Sequence, residues 1–400
     1  MTRVALLSYF VGERTSWVFA LHPDHPDPLA EDTRIPADHL RACALRLLID
    51  CDGLDPLQPG VRPDAIEERA LQLPPAVRRR SREWPRRIGP DPRRLLEPGY
   101  ALTYLDELSE NLLPGALRRV LEDCDVLCIS PHGPLHCLPF HALRWSDGVY
   151  LGERFGVCYV PGAGVLRHCQ ARNRARQMEG ASRPTTALVA CVDMLGSQPF
   201  DADGDILAAL IRSHVLVGSA RATKARVVAE LARNEVIHLT CHGLFASDCG
   251  WKHPLQSAIL LADGSRSRVE PQRLRDHPEE FRDCLLTASE ILGLSLNADL
   301  VTLRACSSGR AEVAAGDDLL GLGRAWLYAG TPSLLVSLWN VNTTSSHRLL
   351  RVFYQRWLKG CEPKWQALRA AQRSLIHDAE NSPHAHPYHW APFVLIGDWI

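Results

Sequence analysis

Short apolar runs alternate with helically spaced apolar residues throughout the second half of the chain. Thr185-Thr-Ala-Leu-Val-Ala-Cys191, Val215–Val217, Val236–Leu239, Leu300–Leu303 and Ser333–Leu338 are strand-length segments with few polar interruptions. That is the pattern of strands buried on both faces. Ile206–Leu210 adds another short apolar segment. Between these runs, Lys224–Ala232, Leu319–Tyr328, Ser345–Lys359 and Lys364–His377 place apolar residues at helical spacing. The alternation predicts an α/β fold, a mainly parallel sheet covered by helices on both faces. In such sheets functional residues gather at the C-terminal ends of strands.

The first half is less regular. Leu6-Leu-Ser-Tyr-Phe-Val-Gly and Ser16-Trp-Val-Phe-Ala-Leu21 flank a Gly-Glu-Arg-Thr turn and predict a hairpin. His39–Leu48 and Leu102–Leu121 have helical spacing, and Asp125-Val-Leu-Cys-Ile-Ser130 predicts a buried strand ending in Pro131-His-Gly133. Residues 55–99 are rich in Pro and Arg, including Arg78-Arg-Arg-Ser-Arg-Glu-Trp-Pro-Arg-Arg87, and are expected to form a long exposed connection. An arginine run without interleaved aromatics is an ordinary solvated segment, so a nucleic-acid contact is not expected. Arg167–Arg183 reads as a basic helix and linker.

At 400 residues the chain exceeds the roughly 250–300 at which one core stops growing. Two lobes are expected, 1–180 and 181–400. Composition is that of an ordinary globular protein, and a net charge of −1 gives no overall pull toward nucleic acid or membrane. No apolar stretch approaches the roughly 20 residues of a membrane span, and the N-terminus lacks a signal peptide's apolar region, so a cytoplasmic location is expected. Thirteen cysteines, an odd number lying mostly in apolar segments, fit a reducing compartment and not a disulfide framework.

Two strand ends carry candidate chemistry. Glu235-Val-Ile-His-Leu-Thr-Cys-His242-Gly243 and Asp299-Leu-Val-Thr-Leu-Arg-Ala-Cys306-Ser-Ser-Gly309 each place a reactive residue just past an apolar run. A thiol becomes a nucleophile when its proton is withdrawn, and an imidazole at a neighbouring strand tip can do that. Gly243 allows a peptide backbone to approach and frees an N–H for the substrate carbonyl; the amide of Cys306 is the second candidate oxyanion donor. Asp248 is a weak candidate for an orienting third residue, and none is assigned. Cys241, His242, Cys249 and His253 do not have zinc-ligand spacing. His377, His384, His386 and His389 lie in a Pro-containing stretch expected at the surface. His132, His136 and His141 are expected to be structural. No phosphate loop and no cofactor are expected, since Gly321-Leu-Gly323 lies within a helix.

Seven ordered blocks resemble one family. They are Ala5-Leu-Leu-Ser-Tyr-Phe-Val-Gly-Glu13, Leu127-Cys-Ile-Ser-Pro-His-Gly-Pro-Leu-His-Cys-Leu-Pro-Phe-His-Ala-Leu143, the His242 and Cys306 motifs, Gly316–Gly330, Val336-Ser-Leu-Trp-Asn-Val341 and His389-Trp-Ala-Pro-Phe-Val-Leu-Ile-Gly397. The chain resembles the CHAT family of bacterial caspase-like cysteine proteases, related to separases and more distantly to caspases and clostripain. The 64-residue separation of His242 and Cys306 has the order and range of caspase-type enzymes. The resemblance implies that His242 is the general base and Cys306 the nucleophile of peptide hydrolysis. It also implies that residues 1–180 are a non-catalytic pseudo-protease lobe. A defence role is implied too, with a protein target, in several systems a gasdermin pore-former, cut under control of a partner or of oligomerisation. The alternative is a catalytically silent caspase-like scaffold for protein interaction. A thioester-based hydrolase or transferase would use the same dyad.

The resemblance also nominates pocket residues. Arg304, two before the nucleophile, shares its side of the strand and would line S1, where it could pair an acidic P1 residue; the rival is a salt bridge to Asp317 or Asp318. Asp317 and Asp318 suit a helix N-terminus or a basic-P1 pocket. Trp339 and Asn340 resemble the opposite pocket wall, but the acidic residue common after Val341 is replaced by Asn342-Thr-Thr-Ser-Ser346.

Overall fold

The computed structural model describes residues 2–41, 43–44, 47, 103–178, 183–196, 203–244, 246, 253–306, 316–339, 341–378 and 383–400. The basic run at Arg78, the weak candidate Asp248, Cys249 and Asn340 lie outside them.

Among the described residues thirteen strands form one sheet: β1 Val4–Val11, β2 Ser16–His22, β3 His25–Asp32, β4 Val126–Ser130, β5 Gly156–Tyr159, β6 Thr186–Cys191, β7 Arg212–Val217, β8 Val236–Leu244, β9 Ala258–Leu260, β10 Leu285–Thr287, β11 Leu300–Cys306, β12 Ser333–Ser337 and β13 Phe393–Gly397. Their order is β10-β9-β8-β11-β12-β13-β5-β4-β1-β2-β3, with β6 on β8 and β7 on β6. Pairings of β7 with β6, β6 with β8, β8 with β11 and β11 with β12 are all parallel. The expected mainly parallel α/β sheet is present. The principal helices are α1 Thr103–Leu112, α2 Gly115–Leu121, α3 Ala163–Met178, α4 Lys224–Leu231, α5 Gly316–Tyr328, α6 Thr343–Tyr354 and α7 Lys364–Ile376.

Local chemistry explains the boundaries. The helical pattern of 102–121 breaks into α1 and α2 at Pro114, which has no N–H to continue the first helix. Thr223 caps α4 by accepting from Arg226 N, and Asn342 caps α6 by accepting from Ser345 N. Asn342, in the stretch that departs from the resemblance, therefore serves as an N-cap. Ile206–Leu210 forms turns, not a regular element.

The two halves of the chain share this sheet. β13, from the C-terminus, pairs antiparallel with β12 and parallel with β5, so the last strand joins the 126–159 segment to the 186–337 segment. Packing across the junction is close: a side chain at Gly156 on β5 would overlap the Trp365 ring of α7. Gly156→Ala is therefore expected to lower unfolding free energy by about 1–3 kcal/mol, the usual cost of overpacking, as measured by chemical denaturation.

Candidate active site

The site begins with register. β8 and β11 pair in parallel from Val236↔Leu300 to His242↔Cys306, so the two residues singled out from sequence lie directly opposite each other at the C-terminal ends of adjacent strands. Parallel strands buried under helices can sustain this because every residue of β8 up to Gly243 is buried.

His242 is 2% exposed, and its Nε2–H donates to Asp193 Oδ1 at 2.7 Å. Asp193 reaches that level because β6 runs alongside β8. Val192 N donates to Thr240 O at 2.9 Å, extending the β6–β8 ladder to the row beneath His242. The same Oδ1 accepts from Leu195 N at 3.1 Å and Gly196 N at 2.7 Å, which fixes the carboxylate in a tight turn. A carboxylate on Nε2 leaves the basic lone pair on Nδ1. Sequence reading missed Asp193, which lies 49 residues from His242; its one signal is a position two residues past a buried strand.

The amide of Gly243 can be placed by alternation. Thr240 O points toward β6, so even-numbered residues of β8 bond on that side and the backbone of Gly243 faces β11. Leu244 and His242 pair with Ala258 and Leu260 of β9 on the opposite side.

One row below the His242↔Cys306 pair, Thr240 lies opposite Arg304. Both side chains meet Asp203, which is fully buried: Arg304 Nη1 donates to Oδ2 at 2.6 Å and Thr240 Oγ1 to the same oxygen at 2.9 Å. His347 Nδ1 from α6 meets Oδ1 at 3.1 Å, and His238 Nε2 lies 3.5 Å from Oδ2. The next row down is closed by Tyr354, whose hydroxyl donates to Thr302 at 2.7 Å and lies 2.9 Å from His238 Nδ1. Burial alone would raise the Asp203 pKa, but hydrogen bonds from His238 and His347 and the charge of Arg304 hold it well below the ordinary carboxylate value. The hydrogen bond to Asp203 in turn raises the pKa of His347 against its partial burial.

The remaining candidates are placed as follows. Arg304 is buried, with Asp203 as its ion-pair partner. Asp317 and Asp318 occupy the first turn of α5. Trp339 is 1% exposed, and its indole N–H donates to Tyr388 O at 3.2 Å. The histidines expected at the surface divide: His386 and His389 are buried, His386 capping the short helix Pro387–Trp390 and His389 meeting Ser345 Oγ at 3.0 Å. Their segment folds inward against α6, and burial lowers their pKa values to about 4 and about 3. His141 is buried with Nε2 3.0 Å from Ala391 O, as a structural residue should be. Among the described residues no group of three or more His, Cys, Asp or Glu is placed to hold a metal ion, and no helix is long and apolar enough to cross a membrane.

A largely parallel sheet between helix layers, with histidine and cysteine opposed at neighbouring strand ends, defines a caspase-like α/β fold. Consistent with this, the chain is similar to Saccharomyces cerevisiae separase in its complex with securin, at a TM-score of 0.52 and 10% identity over 99% of this chain and 30% of that one. A weaker likeness, TM-score 0.44 at 10% identity, covers 75% of this chain and 68% of the Arg-specific cysteine proteinase gingipain R. The CHAT domain model matches residues 102–398, and the chain belongs to that family. Tetratricopeptide repeat protein 28 of Homo sapiens and of Mus musculus are each 30% identical over 305 and 303 residues, 66% of this chain. The chain spans only 12% of the length of those relatives.

Two outcomes test the buried layer. Asp203→Ala leaves the Arg304 charge without its carboxylate and should cost about 3–5 kcal/mol in denaturant unfolding, whereas Asp193→Ala, at a partly exposed turn, should cost far less. A raised folded pKa at His347 contributes stability that is fully present below the ordinary imidazole value of about 6.5 and is lost as pH rises through the folded value. Unfolding free energy should therefore fall as pH climbs through that window, and His347→Gln should flatten that slope.

Proposed function

We propose that this chain is a cysteine endopeptidase in which His242 withdraws the proton of Cys306 and the thiolate attacks a peptide carbonyl. The observation that carries the reading is the His242↔Cys306 register with Asp193 on the far nitrogen of the imidazole. Asp193 orients the ring and stabilises the imidazolium formed when the thiol proton is taken. The thiolate adds to the carbonyl carbon, and the resulting oxyanion takes hydrogen bonds from the amides of Gly243 and Cys306. The imidazolium then returns its proton to the leaving amine, giving an acyl-enzyme that water hydrolyses.

The substrate is a protein, and the P1 side chain enters beside the start of α5, where Asp317 and Asp318 lie, above the buried Arg304 and Trp339. Arg304 is engaged by Asp203 beneath the site, which disfavours its use as a partner for an acidic P1 residue. The family resemblance supports a finer reading: cleavage of a specific target such as a gasdermin pore-former in anti-phage defence or programmed cell death, under control of a regulatory partner. Residues 1–180 serve this reading as a non-catalytic lobe.

Cleavage of a protein target co-expressed from the same locus should vanish in Cys306→Ala with the fold retained. His242→Ala should lose about 10²–10⁴ in kcat, and Asp193→Ala should lower kcat with KM little changed. Persistent cleavage by Cys306→Ala, checked by mass spectrometry of the products, would refute the assignment.

A further inference from the structure

β7 ends the sheet beyond β6, and among the described residues no strand pairs with its outer side. Its backbone orientation is fixed by two contacts. Gly218 N, just past the strand, donates to Cys191 O on β6, while Val215 O accepts from Arg221 Nη2 on the other side. Alternation then turns the N–H and C=O groups of Ser213, Val215 and Val217 outward, a row of peptide groups at strand spacing.

A cleft of about 650 Å³ opens at the N-terminal half of β7, lined by Arg212, Ser213, Val215, Arg221, Glu230 and Arg233 and reaching Thr186 at the start of β6. Its charge is one-sided. Glu230, the carboxylate in the lining, is already engaged by His214 at 3.3 Å and Arg233 at 3.0 Å. Arg212, Arg221 and the neighbouring Arg226 have no carboxylate within ion-pair distance among the described residues; Arg221 and Arg226 bond instead to the carbonyls of Val215 and Ala220. Exposed edges are commonly blunted with charge. Here the charges without a carboxylate partner, Arg212, Arg221 and Arg226, are cationic.

We propose that this edge is a docking site for an acidic, extended segment of a partner protein, which adds to β7 as a further strand, takes the Val215 carbonyl over from Arg221 and sets its carboxylates against Arg212, Arg221 and Arg233. Main-chain hydrogen bonds supply the pairing and the arginines select for acidic side chains. A nucleic acid would satisfy the charge but not the alternating donors and acceptors of Ser213, Val215 and Val217. Because β7 runs parallel to β8 and β11, its C-terminal end lies at the same edge of the sheet as His242 and Cys306. The site does not depend on the peptidase reading and would serve a substrate or a regulator equally.

The probe is a fluorescent peptide of alternating glutamate and valine, roughly eight residues long to cover the six of β7, titrated into the full chain. Binding should weaken by about tenfold or more in the surface double variant Arg212→Glu, Arg233→Glu. A peptide N-methylated at alternate residues should fail to bind the wild-type chain. Amide exchange at residues 213, 215 and 217 should slow when the unmodified peptide is bound. Equal binding of the N-methylated peptide or of single-stranded DNA of matched charge, with exchange at those amides unchanged, would overturn the proposal and leave only a basic patch.

Discussion

Everything at the candidate site depends on the parallel pairing of β8 with β11. Side chains alternate along a strand, so a slip of one residue would move His242 away from Cys306 and turn Arg304 and Thr240 to opposite faces. The register is held from below by Asp203. Its one carboxylate oxygen receives Arg304 from β11 and Thr240 from β8, stapling the two strands one row beneath the reactive pair. Such a staple is effective because it is buried: with no water to replace either partner, a shifted register would strand a charge in the core.

Asp203 and Asp193 both follow β6 in the chain, and together they show how a single connection serves two levels of the site. Asp193 orients the imidazole at the top row while Asp203 fixes the strands in the row below. α6 supplies the third wall, with His347 on Asp203 and Tyr354 on His238. The pocket residues nominated from sequence belong in part to this buried framework. Arg304 is neutralised within the protein, and Trp339 holds the Tyr388 backbone, so both contribute to the rigidity of the site floor.

The repeating apolar runs made β6, β8, β11 and β12 and the helices between them legible in the sequence, because strands buried on both faces leave a continuous signal. His242 and Cys306 were legible for the same reason, each marking the end of such a run. What could not be read was anything held by long-range contact. Asp193 and Asp203 act on residues 49 and 101 positions away, and no local pattern distinguishes them from turn aspartates. β3 was hidden by Pro26 and Pro28, which an edge strand tolerates, and β9 and β10 are three residues each, too short for a period to register. The insertion of β13 between β12 and β5 is a matter of topology, which no local pattern carries.

The central claim is that His242 and Cys306 exchange a proton. The most direct measurement is the alkylation rate of individual cysteines by iodoacetamide as a function of pH, with the exposed Cys361 as an internal reference. If the claim holds, Cys306 reacts faster than Cys361 well below the ordinary thiol pKa of about 8.5, and His242→Ala removes the difference. A Cys306 that reacts no faster than Cys361, and is indifferent to residue 242, would contradict it.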